Sequence, residues 1–292
     1  MLGPGIPQAD LWTPAGLITA PQIWYNETSS VTDAGGGACS QWNDISGNNY
    51  HATQSTSANR PLIVASGLNG KRIIRFDGTD DDLRATSTGA VGIFQNKTEG
   101  FIFGIHKLNP PDVALTQRGY FWFSRNGSTT SRVALGAGGT AGGGGDAING
   151  PYVGGRRIDG DSFFGAESPT AYGNTWAMCL GTFDFTNRLI SLYIDGALSN
   201  QQTGAWGAGG ATSNTASNGV VIGGIDSAAS HFVGDIAELM AGSSLPDEEE
   251  IEKIFGWAAY KWGLQGSLPS THKYKTRPPD LGDMTLWTGA LT

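Results

Sequence analysis

Charge is scarce in this chain of 292 residues: Asp, Glu, Lys and Arg together make up 15%, against about 25% in ordinary soluble domains. The basic side is the poorer one, with 18 Lys and Arg against 26 Asp and Glu and a formal net charge of −8. Duplex nucleic acid and anionic membrane surfaces both demand a basic field, so neither is an expected partner. Lys71-Arg72 and Arg156-Arg157 are the only adjacent Lys/Arg pairs. No apolar run approaches the length of a membrane span. The opening MLGPGIPQADLW lacks the charged-then-apolar order of a secretion signal, so export by that route is not expected. Cysteine is limited to Cys39 and Cys179. Two are too few for a zinc site, and two free thiols are expected, with a single disulfide as the alternative.

Catalytic signatures are missing as well. Glycan-cleaving enzymes need two carboxylates flanking the scissile bond, and the chain has only eight Glu: Glu27, Glu99, Glu167, Glu238, Glu248, Glu249, Glu250 and Glu252. The only closely spaced ones open a helix. No G-x-S-x-G nucleophile elbow and no Walker A stretch is present, and His51, His106, His231 and His272 lack metal-ligand spacing. No enzymatic activity is expected.

Glycine is abundant, at 45 residues, beside 39% hydrophobic content with 9 Trp, 12 Phe and 8 Tyr. That is too apolar for a disordered chain and predicts a packed domain. Short apolar or alternating runs between Gly, Asn, Asp and Ser clusters predict strands at 72–76, 101–107, 120–124, 132–135, 176–183, 189–194, 220–223 and 231–240. Asp195-Gly196 fits a two-residue hairpin turn, because that turn demands positive φ angles. So many strands with almost no helix between them exclude parallel crossovers, and the sheets should be antiparallel. Ile251, Ile254, Phe255, Ala258 and Trp262 form one helical stripe, with Pro246 expected in the first turn and Gly263 as the stop.

Three features are candidates for binding. Asp80, Asp81 and Asp82 close an acidic turn after the strand at 72–76; hard oxygen ligands so near one another suit Ca²⁺ or a polar ligand, and the alternative is a solvated turn. Trp206 lies in a Gly-rich stretch, 204–224, and a second such stretch runs from 136 to 155; both are read as loops, either binding surfaces or plain connections. Trp287 sits in the tail 276–292, which has no strand or helix period. It is expected either to dock on a neighbouring subunit or to fold back on the domain.

Several phrases resemble the concanavalin A-like, or laminin G-like, jelly-roll family found in phage structural proteins and bacterial surface proteins. They are Trp12-Thr13-Pro14-Ala15, Gln41-Trp42-Asn43-Asp44-Ile45-Ser46-Gly47, Arg75-Phe76-Asp77-Gly78, Leu192-Tyr193-Ile194-Asp195-Gly196, Asp235-Ile236-Ala237-Glu238-Leu239 and Ala259-Tyr260-Lys261-Trp262-Gly263. The resemblance implies an all-β, antiparallel two-sheet jelly-roll sandwich over residues 12–275, with an arm at 1–11, one amphipathic helix near the C-terminus and a tail at 276–292. Trp24, Trp42 and Trp262 should be buried anchors. The fold hosts many functions. The first expectation is a non-enzymatic virion protein, an accessory surface or head-decorating component whose partners are other capsid or tail proteins, in an oligomer or on a lattice. The alternative is a receptor-binding tail tip or a soluble protein that recognises host-surface glycans, with a glycoside hydrolase ranked behind both.

Overall fold

The computed structural model describes residues 11–109, 118–124, 131–137, 150–215, 219–225 and 231–283. Their strands in chain order are β1 (Ile23–Tyr25), β2 (Val31–Asp33), β3 (Cys39–Trp42), β4 (Ala52–Thr53), β5 (Leu62–Leu68), β6 (Lys71–Asp77), β7 (Leu83–Ala85), β8 (Glu99–Leu108) and β9 (Arg118–Ser124). They continue with β10 (Ser131–Ala137), β11 (Pro151–Gly155), β12 (Phe164–Glu167), β13 (Trp176–Asp184), β14 (Leu189–Ile194), β15 (Ala197–Thr203), β16 (Val220–Ile222) and β17 (Val233–Gly242). A short α1 (Thr88–Gly92) precedes β8, and α2 (Glu248–Trp262) follows β17.

The strands form two sheets, and every strand pairing is antiparallel. The first runs β15-β14-β13-β8-β17-β6-β5, with β1 also paired to β17; the second runs β12-β11-β10-β9-β16-β7-β4-β3-β2. Between them lies an aromatic interior in which Tyr25, Trp42, Phe76, Phe121, Phe123 and Phe183 are all essentially inaccessible. Strand alternation sends the other side chains of the first sheet outward, and there Phe101, Phe103, Met178, Leu180 and Met240 meet the apolar stripe of α2. The protein is thus a two-sheet antiparallel sandwich with one helix laid on an outer face, as expected.

Local chemistry explains the boundaries. Two hairpins use two-residue turns at positive φ: Asn69-Gly70 (48° and 79°) joins β5 to β6, and Asp195-Gly196 (51° and 88°) joins β14 to β15. Asp247 caps α2 by accepting from the Glu250 N–H at 2.8 Å, while Glu250 Oε2 accepts from the Asp247 N–H at 3.1 Å. Pro246 therefore lies outside the helix, one position before the cap, and not in its first turn. Gly263, at φ 71°, ends the helix as expected.

Cys39 and Cys179 are free and buried, which removes the disulfide alternative. No described helix is long and apolar enough to cross a membrane. The described part of the tail folds back on the sandwich. Leu11 bridges Asp280, Trp12 N–H donates to the Pro279 carbonyl at 3.2 Å, and Arg277 grips Asp280 and Asp283. Trp287 lies outside the described residues.

Candidate functional site

The acidic turn from Asp77 to Asp82 is present after β6, and of its expected members only Asp82 stands apart. Asp77, Asp80 and Asp81 bring carboxylate oxygens within 4.8 Å of one another. Asp82 turns away, to Gln54 Nε2 and to Arg84 Nε at 2.9 Å. The turn is closed by its own side chains: Asp77 Oδ1 accepts from the Thr79 N–H at 2.7 Å, and Asp81 Oδ2 accepts from the Asp77 N–H at 3.0 Å. Burial, aided by three neighbouring carboxylates, pushes the Asp81 carboxyl up to about 6. The oxygen donors suit a hard cation such as Ca²⁺, while the hydrogen bonds already account for the turn's shape.

Trp206 is not a surface platform. Its indole is buried with 6% exposure, packs on Phe185 at 5.1 Å and donates to the Gly155 carbonyl at 3.2 Å. The loop is drawn in by Arg188, whose guanidinium donates to three successive carbonyls, those of Gly204, Ala205 and Trp206, at 2.7, 3.0 and 2.6 Å. That clamp holds Trp206 at φ 61°, a conformation bulky residues seldom adopt. The ring therefore closes the sandwich interior, correcting its assignment as a ligand-binding aromatic.

A cavity of about 580 Å³ lies instead beside the C-terminal half of α2, a size ordinary for ligand pockets. The helix supplies Trp257, Tyr260 and Lys261, none of them on its core stripe. The β5–β6 turn supplies Asn69, the start of β6 supplies Lys71, the segment after β1 supplies Glu27, and Thr13, Gln265 and Pro279 lie on the rim. Asn69 is fixed because its Nδ2 donates to the Trp262 carbonyl at 2.6 Å, capping the helix end. Glu27 is fixed because Arg72 Nη2 donates to its carbonyl at 2.5 Å, and because Asn26 is itself anchored by donation to Glu238 at 3.0 Å.

Behind the cavity lies a fully buried carboxylate. Glu238 accepts from Trp24 Nε1 at 2.5 Å, Trp262 Nε1 at 2.6 Å and Lys261 Nζ at 2.7 Å, besides Asn26. Burial pushes its carboxyl up, and Lys261 and the two indoles pull it part of the way back. Lys261 also contacts Glu27 Oε2 at 3.0 Å and sits 4.7 Å from the Trp257 ring centre. A ladder of alternating charge thus runs outward from Glu238 through Lys261 and Glu27 to Lys71, whose Nζ is 3.6 Å from Glu27 Oε1.

Sequence reasoning identified Trp24, Trp262 and Glu238 with the scaffold, where they are found, but did not select Trp257, Tyr260, Lys261, Glu27 or Lys71. The available signal was Trp257, a large aromatic off the apolar stripe of an amphipathic helix.

No family model matches the chain, and no curated protein matches it in sequence. Solved structures do share its fold. Domain 4 of the extracellular arabinanase AbnA from Geobacillus stearothermophilus, in complex with arabinotriose, superposes with a TM-score of 0.52 at 11% identity, covering 79% of this chain and 96% of that one. The binding domain of Paraclostridial Mosquitocidal Protein 1 gives 0.55 at 13% identity, covering 80% and 52%. An α-L-arabinofuranosidase gives 0.52 at 13%, covering 79% and 50%. The chain spans about half the length of the latter two. At these identities the likeness is one of fold.

Proposed function

We propose that this protein is a non-catalytic carbohydrate-binding β-sandwich and that the cavity beside α2 is its binding site. The cavity carries the reading: an aromatic wall of Trp257 and Tyr260 stands beside donors and acceptors held in place by hydrogen bonds from the scaffold. Sugars present apolar ring faces and hydroxyl edges, and such a mixed wall complements both. The shared fold with a domain whose structure is in complex with arabinotriose supports the same reading.

Binding is favoured over hydrolysis by the state of the two carboxylates nearest the cavity. Glu238 is wholly buried behind four donors, and Glu27 is tied to Lys261. Glu238 is sealed behind the wall, so the cavity lining offers a single carboxylate, Glu27, where hydrolysis requires a pair flanking the bond.

A broad glycan array probed with the purified chain tests the proposal. Binding should be present in the wild type and lost in Trp257→Ala and in Tyr260→Ala, with circular dichroism unchanged in at least one variant. A wild type that binds no glycan refutes the reading. The narrower expectation of a virion component, with capsid or tail partners, rests on the sequence resemblance alone; among its forms, a glycan-recognising tail tip agrees best with the cavity. Mass spectrometry of purified particles decides it, and absence from every particle removes it.

A further inference from the structure

We infer that the cavity selects uncharged sugars and does so through Glu27 and Lys71, which take one hydroxyl of the ligand between them. The inference rests on the carbohydrate-binding reading above and names the class of sugar.

The ladder of charge is closed on its inner side and open on its outer side. Lys261 meets Glu238 at 2.7 Å and Glu27 at 3.0 Å, but Lys71 and Glu27 stand 3.6 Å apart. That gap is too long for a direct hydrogen bond. Glu27, Lys71 and Lys261 all line the cavity, and Lys71 is the more exposed of the two lysines, at 37% against 13%. An ammonium beside a carboxylate is a donor beside an acceptor. A hydroxyl placed between them accepts from Lys71 and donates to Glu27, which an ether, a carboxylate or a phosphate cannot do.

Charge accounting excludes acidic sugars from the same place. The two lysines of the ladder are matched by its two glutamates, and the other polar side chains of the lining, such as Thr13, Asn69, Tyr260 and Gln265, are neutral. An incoming anion would meet Lys71 only by also facing Glu27, whose backbone is pinned by Arg72 and whose Oε2 is buried against Lys261. A carboxylate held next to another in a partly desolvated site is repelled.

The experiment uses the full chain on a broad glycan array, followed by titration calorimetry with arabinotriose and lactose as neutral probes and 2,3-sialyllactose as the acidic one. Neutral glycans should bind, and acidic counterparts should bind at least about tenfold more weakly. Lys71→Met should weaken neutral binding about tenfold or more, the ordinary effect of losing a charge-assisted hydrogen bond. Glu27→Gln should narrow the gap between neutral and acidic probes. Preference for acidic glycans overturns the inference while leaving carbohydrate binding intact, as does neutral binding that Lys71→Met leaves unchanged. If Glu27→Gln does not fold, the Lys71→Met comparison decides alone. An array with no bound glycan defeats this inference together with the reading beneath it.

Discussion

Replacing Asp195 with Asn should stabilise the protein at neutral pH. Asp195 is the first residue of the β14–β15 turn, at φ 51°, and its Oδ1 accepts from the Met178 N–H at 3.0 Å. Burial pushes its carboxyl from the usual 3.8 up to about 6, against the downward pull of that hydrogen bond. The folded state therefore holds the proton more tightly than the unfolded chain. The benefit is fully present below about 4 and is lost as pH rises through about 6. A rise of that size in the folded carboxyl corresponds to about 3 kcal/mol, and partial solvent access reduces the expected value to about 2 kcal/mol. Asparagine keeps the acceptor, removes the charge and tolerates the left-handed backbone. The β5–β6 hairpin already uses Asn69-Gly70 in the same two positions with similar angles. Urea unfolding of wild type and Asp195→Asn between pH 4 and 8 is the assay. The two curves should nearly coincide at pH 4 and separate by about 2 kcal/mol at pH 7. Asp81 titrates in the same range but is common to both proteins, so it cancels from the difference. A gap that is constant across the range, or a variant less stable at pH 7, would refute the argument.

Removing the buried carboxylate in Glu238→Ala strands Asn26 and two indole N–H groups and leaves Lys261 with Glu27 alone, and should cost about 3–5 kcal/mol in denaturant unfolding; a cost under about 1 kcal/mol would show that water or Glu27 replaces it. Trp206→Ala should lower stability by about 3–5 kcal/mol, as for a buried aromatic, and leave glycan affinity unchanged in the folded fraction; loss of affinity at unchanged stability would return Trp206 to the binding surface. Cys39 and Cys179 should resist a thiol reagent in native protein and react together once denatured, because both are buried and burial pushes the Cys39 thiol up to about 12. Rapid native labelling of either would contradict that environment.

What could be found in the sequence divides by how far apart the cooperating residues lie. The eight expected strands all exist, and the helix stripe is correct, because period and turn chemistry act within a few residues. The nine missed strands among the described residues are of three kinds: β11 and β12 pair with each other at one end of the second sheet, and the wholly buried β11 occupies the last five residues of the Gly-rich stretch 136–155, expected to be a loop. Strands β1, β2, β3, β4 and β7 are two to four residues long and are held by their neighbours in the sheets. Strands β5 and β15 lie at the edge of the first sheet, where half-exposed sequences such as Ala197–Thr203 carry no apolar period. The acidic turn was visible as a run, yet which three carboxylates converge depends on the reach of Gln54, 28 residues before Asp82. Trp206 was a candidate binding aromatic because it lies in a Gly-rich loop; its burial depends on Arg188 and Gly155, which no local pattern connects to it. The cavity is the extreme case, since Glu27, Lys71 and Lys261 meet only after β1, the β5–β6 turn and α2 are assembled.

Scarcity of charge gives that assembly its significance. In a chain with few ionic groups and a large apolar interior, burying a carboxylate behind α2 is costly unless it is fully matched. Glu238 is matched by four donors, and one of them, Lys261, carries the match outward to Glu27. If the arrangement served packing alone, the ladder could end at Lys261: an apolar residue in place of Glu27 would leave Glu238 as well satisfied, with one ionic group fewer to desolvate. Glu27 adds a further acceptor at the cavity rim, and Lys71 adds a donor beside it, 3.6 Å away. The inner part of the ladder is therefore accounted for by stability, whereas its outer link gains an energetic role when a ligand hydroxyl completes it. Glu238→Ala and Lys71→Met consequently separate two functions of one network: the first should be felt in unfolding, the second in binding with little change in stability.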